Sequence, residues 1–315
     1  VSDDDSARRA ARSAVGTFRA TGAPPLAALL GTERLRPGGG DLELRFDPGR
    51  PEVARPLGVL DAAMLADLAL GGALRSRLGG GFTMPTVSLT VGLDLAGVPD
   101  DVRFRAWGHD PVDNLADAHG QFLSGERVVG RADATFGLAA NATAAGVLPW
   151  ERPSGSYPPR RLDQLDMPLL AELDAAATAL LTNPAGRSWS EEILARACSG
   201  SAGTLLCTPT EAMVNRAGYV QGGVLFGLMW ACARPGRLVR GHAVFMAPAS
   251  AREPVEVSAA TTATRRLAFV HVEARQAGRP VAMATFTLGR APARAAAGTT
   301  PAAEPVARGR SRRAR

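Results

Sequence analysis

An α+β fold made of two tandem copies of one strand–helix–sheet unit is what this 315-residue chain should form. Three observations lead there. Two stretches of small and apolar residues with almost no charge, Pro56–Leu74 and Asn215–Ala233, each contain or follow a glycine-bearing turn. A helix that is apolar on every side must be buried on every side, and a helix wrapped by an antiparallel sheet meets that demand. Each stretch leads into runs of strand length that alternate apolar and polar residues, as half-buried antiparallel strands do. The order then repeats at a nearly constant interval, 153 residues from Gly125 to Gly278 and 152 from Leu93 to Phe245.

Taken in order, residues 1–35 read as a helical or loose segment. Residues 36–145 form the first unit, with its helix, a strand from Thr86 to Leu93 and a closing pair of strands ending Gly125–Phe136. Residues 146–200 are a linker, Pro/Arg-rich at first, with one helix over Met167–Leu181 that Asn183-Pro184 should end. Residues 201–290 form the second unit. Its strand material lies at Val239–Met246 and Glu253–Thr264, and its hairpin joins Leu267–Arg275 to Pro280–Leu288 through Ala277-Gly278.

Composition narrows the function. Hydrophobic residues make up 46% and charged residues 21%, the balance of an ordinary globular protein. The formal charge of +6 suggests nucleic acid, but residues 291–315 hold six arginines against one acid. That Ala/Pro/Gly/Arg tail reads as a solvated appendage, so nucleic acid is not an expected partner. Three cysteines in no metal-binding spacing argue against a disulfide framework and against a zinc site, and a cytoplasmic location is expected. No apolar run reaches membrane-spanning length.

Asn215-x-x-Gly218-x-x-Gln221-Gly222-Gly223 precedes a buried helix and a strand ending Phe245-Met-Ala-Pro-Ala249. With Arg265-Arg-Leu-Ala-Phe-Val-His-Val-Glu-Ala-Arg275 and Pro280-Val-Ala-Met-Ala-Thr-Phe286, this resembles the hotdog-fold acyl-CoA thioesterases, closest to the phenylacetate-pathway group. Leu65-Ala-Asp-Leu-Ala-Leu-Gly71 and Thr86-Val-Ser-Leu-Thr-Val91 resemble the same family's helix and next strand. The resemblance implies a tandem double hotdog: two antiparallel sheets, each around a long helix, related by a pseudo-two-fold. It implies hydrolysis of an acyl-CoA or acyl-carrier-protein thioester, with coenzyme A as part of the substrate and no cofactor. The pair forms a pseudo-dimer within one chain, with further homo-oligomerisation open. A degenerate module that binds acyl-CoA without turnover is the alternative.

The same resemblance assigns a site built across the pseudo-two-fold. Gly222 and Gly223 would offer backbone N–H groups at a helix N-terminus to the developing oxyanion, or else simply allow tight packing. Gln221 stands where the family has His, and can donate a hydrogen bond but not titrate. Asn215 matches the family's Asn, an Asx-turn being its other reading. No acid lies in the second helix, where Trp230 occupies the family's carboxylate position. Asp67 of the first helix would supply the acid, as general base or nucleophile, with a structural hydrogen bond as its other reading. That alignment needs about three residues missing near the first helix's start. The vacated second site would then be filled by Ala62, Ala63 and Trp230. Asp61 reads as a helix cap. Thr86 or Ser88 would assist binding, Phe226, Met229 and Trp230 would line an acyl pocket, and Arg265 and Arg266 would meet coenzyme A phosphates.

Overall fold

The computed structural model describes residues 3–21, 25–30, 32–34, 41–46, 57–79, 81–94, 102–140, 167–182, 187–215, 217–233, 236–251 and 253–289. The expected tail 291–315, the Asn183-Pro184 helix stop and the start of the linker lie outside them. Along the chain come α1 (Asp3–Thr21), α2 (Pro25–Leu29), β1 (Thr32–Arg34), β2 (Asp41–Phe46) and α3 (Val59–Leu78). Then follow β3 (Phe82–Thr83), β4 (Thr86–Leu93), β5 (Arg103–Gly108), β6 (Leu115–Ser124), β7 (Arg127–Gly137) and β8 (Ala139–Ala140). The middle holds α4 (Met167–Thr182) and α5 (Trp189–Ala197). The second unit has β9 (Cys198–Ser201), β10 (Thr204–Cys207), α6 (Gly222–Ala233), β11 (Arg237–Phe245), β12 (Val255–Ala263), β13 (Leu267–Gln276) and β14 (Arg279–Gly289).

Two corrections concern architecture. The expected pair of sheets is one continuous twelve-stranded sheet, in the order β1-β2-β5-β6-β7-β4-β11-β14-β13-β12-β10-β9. The halves fuse where β4 and β11 pair antiparallel, Thr90 opposite His242 and Leu89 opposite Ala243. This leaves no free strand edge between the halves. The linker, expected to carry one helix, carries two among its described residues. The second, α5, opens with a capping box in which the Ser188 hydroxyl accepts from Glu191 N–H and the Glu191 carboxylate accepts from Ser188 N–H.

The repeat is exact enough to be seen in irregularities. β6/β7 has a register shift between Phe122 and Leu123, and β13/β14 has one between Ala274 and Arg275, 152 residues on. A second pair of shifts falls between Thr86 and Ser88 in β4 and between Leu238 and Arg240 in β11, at the same interval. The helices keep a different interval: α3 starts at Val59 and α6 at Gly222, 163 residues apart. The eleven-residue difference arises after the helix start: α3 has 20 residues and α6 only 12, and the run from helix end to bulge is three residues longer in the first half, Leu78 to Thr86 against Ala233 to Leu238.

The helices cross antiparallel inside the curved sheet, and glycines set their separation. A Cβ on Gly223 would lie 2.5 Å from Met64 Cα, and one on Gly227 would lie 3.1 Å from Leu60 Cβ. Around them the core is continuous, from Leu42, Leu44, Phe104 and Phe122 in the first half to Phe226 and Phe286 in the second.

The N-terminal end of α3 is closed from outside by α5. Asp61, buried in the first turn of α3, accepts hydrogen bonds from the Ser188 hydroxyl at 3.0 Å and from the Ser190 hydroxyl. It is therefore a clasp between helices; the residue flanking α3 at the N-cap position is Gly58. Burial pushes the Asp61 carboxyl up from 3.8 to about 6, against the pull of its serine partners. Between those pH values the folded chain binds more protons than the unfolded one, so stability falls as pH rises from about 4 to about 6. That shift is worth ~3 kcal/mol. Denaturant titrations across this range should show the slope, and Asp61→Asn should reduce it; an unchanged slope in the variant would refute the assignment.

Candidate active site

The site forms where α3, β4 and the start of α6 meet. The turn before α6 is built by Asn215. Its Oδ1 accepts from Ala217 N–H at 2.9 Å and Tyr219 N–H at 3.2 Å, and Gly218 takes a positive φ of 79°. Asn215 Oδ1 therefore makes the Asx-turn of its other reading. That loop delivers Gln221, whose N–H donates to Met213 O at 3.2 Å and whose carbonyl accepts the first helical bond from Leu225.

The first amides of a helix lack partners within it. Here one of them is met from the other half of the chain: Gly223 N–H donates to Asp67 Oδ2 at 3.0 Å. Thr86 Oγ1 donates to Asp67 Oδ1 at 2.7 Å. Asp67 is 6% exposed. Burial raises its pKa above the ordinary carboxylate range, and the bonds from Thr86 and Gly223 and the nearby Gln221 amide offset part of that rise. Gln221 is itself 6% exposed; its amide stands close enough to Asp67 to favour the carboxylate, and among the described residues neither its Oε1 nor its Nε2 has a partner in full hydrogen-bond geometry. An unpaired buried amide costs free energy, so its retention beside a carboxylate marks a place for a polar group.

Thr86 reaches Asp67 only because β4 is bulged. Ser88, Thr90 and Gly92 share one face of the strand while Leu89, Val91 and Leu93 point into the core. Regular alternation would put Thr86 with Ser88. The extra residue, Val87, turns Thr86 inward, opposite the buried Phe136, while Ser88 pairs with Thr135. Ser88 thus faces away from Asp67 and is removed from the site.

The equivalent positions of the other half are apolar. At the helix interval Asp67 corresponds to Trp230 and Gln221 to Gly58; at the strand interval Thr86 corresponds to Leu238, brought inward by the matching bulge. Since both helices start in step, no residues are missing from the start of α3. The Gly222-Gly223 positions correspond to Val59 and Leu60, so the expected filling by Ala62 and Ala63 is corrected to Val59, Leu60 and Trp230. Glu191 of α5 covers that end: a Cβ on Gly58 would lie 3.2 Å from Glu191 Oε1.

Two further expectations concern substrate contacts. Phe226 and Trp230 pack edge-on to Phe286, with ring centroids 5.3 and 5.7 Å away, and Met229 is fully buried. These three fill the core beneath β11 and β14. Arg265 and Arg266 occupy the β12–β13 turn, while Ser88 of β4 lies beside the far end of β11, at Val244. The ten residues of β13 set the arginines roughly 30 Å along the sheet from the site.

No family model matches the chain, and no curated protein matches it in sequence. Solved structures do. The 12:0-ACP thioesterase of Umbellularia californica superposes with a TM-score of 0.53 at 8% identity, over 81% of this chain and all (100%) of that one. The tesB protein of Mycobacterium avium subs paratuberculosis superposes with a TM-score of 0.51 at 13% identity, over 84% of this chain and 98% of that one. The chain is a tandem hotdog. Neither relative is named as a member of the phenylacetate-pathway group.

Proposed function

We propose that the chain hydrolyses an acyl thioester of coenzyme A or an acyl-carrier protein, using one site per chain. The observation that carries this reading is the buried carboxylate of Asp67, fixed by Thr86 and by Gly223 N–H at the N-terminus of α6, beside the unpaired amide of Gln221. The likeness to the 12:0-ACP thioesterase supports it through the fold.

Water is the only co-substrate the reaction uses. Asp67 accepts a proton from a water that Gln221 and Thr86 help to orient, and the water oxygen attacks the thioester carbonyl. Negative charge grows on the carbonyl oxygen, where the N-terminus of α6 stabilises it; Gly222 N–H, the first amide of the helix, is the donor Asp67 does not occupy. When the C–S bond breaks, the proton on Asp67 goes to the departing sulfur, leaving free acid and thiol. Gln221 does this work without a charge of its own, so Asp67 is the titrating group.

The test is release of free thiol from a panel of acyl-CoA and acyl-carrier-protein thioesters that varies chain length and aromaticity. Turnover on at least one class is expected. Coenzyme A binding with no release on any of them would favour the non-catalytic binding module.

A further inference from the structure

Two of the three cysteines face each other across the hairpin at the edge of the sheet. Cys198 closes α5 and starts β9; Cys207 ends β10; the register sets them directly opposite. The pair next to them, Ala197 and Thr208, is hydrogen-bonded, with Thr208 N–H donating to Ala197 O at 2.9 Å. Bonded and non-bonded pairs alternate along an antiparallel ladder, so Cys198 and Cys207 form a non-bonded pair, the kind whose side chains approach most closely. Their Cα separation is then about 4.5 Å, within the roughly 4.4–6.8 Å that a disulfide spans. Access is graded: Cys198 is partly exposed and Cys207 buried.

We propose that Cys198 and Cys207 are a redox modification site, a dithiol that a small-molecule disulfide converts to an intramolecular disulfide. The Cys198 thiolate attacks one sulfur of the oxidant, such as oxidised glutathione, and expels one thiolate. Cys207 then loses its proton and attacks the Cys198 sulfur of the mixed disulfide, expelling the second thiolate. Two protein thiols give up two electrons and two protons, and one oxidised glutathione becomes two reduced molecules. The division of roles follows the surroundings. The contact with Cys207 lowers the pKa of Cys198, the group an oxidant can reach, while Cys207 is pushed up by that same contact, by burial and by the neighbouring charge. Forming the mixed disulfide removes that charge and frees Cys207 to act. The third cysteine, Cys232, lies in α6 with its thiol donating to Val257 O.

The experiment treats the whole protein with oxidised glutathione, quenches with acid, unfolds it and counts thiols, with peptide mapping by mass. The expected result is a fall from three thiols to one, a loss of about 2 Da, and a linked peptide pair joining Cys198 to Cys207. Cys207→Ser should stop at a glutathione adduct on Cys198, and Cys232→Ser should leave the link intact. Three thiols after treatment, an adduct that persists on Cys198 in the unaltered chain, or a link between chains would each overturn the proposal. Thiol counting is independent of turnover, so the outcome stands whatever the hydrolase test shows.

Discussion

Replacing Asp67 by Asn leaves a folded chain whose thiol release is slower by about 100-fold or more, the scale that a positioned general base supplies. Folding survives because the amide keeps the shape: its oxygen can still accept from Gly223 N–H, and its NH₂ can donate to Thr86 Oγ1, a hydroxyl that also accepts. Asp67→Ala is the harsher change, since it strands the buried Gly223 amide at a cost of about 1–3 kcal/mol. The pH profile separates base from scaffold. With its carboxyl raised by burial, the unaltered chain should lose rate on the acid side above the usual carboxylate range, as Asp67 becomes protonated. Asp67→Asn should lose that limb. An unchanged rate in Asp67→Asn would reduce the carboxylate to a helix cap.

The second large effect separates two adjacent glycines. Gly223→Ala drives a Cβ to 2.7 Å from Ala63 O and 2.8 Å from Met64 N, backbone atoms of the opposing helix. Since carbon contacts relax near 3.5–4.0 Å, α3 and α6 must part by about 1 Å, breaking the Asp67 bond. A loss of about 3 kcal/mol, the upper end for an overpacked core, is expected in thermal unfolding. Gly222→Ala meets only side-chain atoms, Asp67 Oδ2 at 3.2 Å and Thr86 Cβ at 3.3 Å. It should fold close to normally and lose thiol release, because the methyl crowds the carboxylate. Equal stability of both variants would contradict the helix crossing.

The two apolar helices and the closing hairpins announce themselves through composition and alternation, and the resemblance to the hotdog thioesterases, with no acid in α6, pointed to Asp67. Backbone irregularity is what hid the rest. Thr86 and Ser88 look equivalent in an alternating strand, and only the extra residue at Val87 parts them. The match that set Ala62 and Ala63 at the Gly222-Gly223 positions started from Asp61, three residues past Gly58, where the helix start places it. Arg265 and Arg266 carry the right charge, but a strand's length sets them at the wrong end. The role of α5 was invisible because Ser188 and Ser190 meet Asp61 across more than a hundred residues.

The cover that α5 places over the start of α3 is possible only in a fused chain. In a pair of identical subunits every helix, and every obstruction, comes twice, so a lid on one mouth would seal both. Joining the copies end to end breaks that bookkeeping. One mouth can be spent as a foundation, its polar groups traded for Trp230 and Leu238 and its opening bolted by Asp61, while the other is left free to change with whatever molecule it serves.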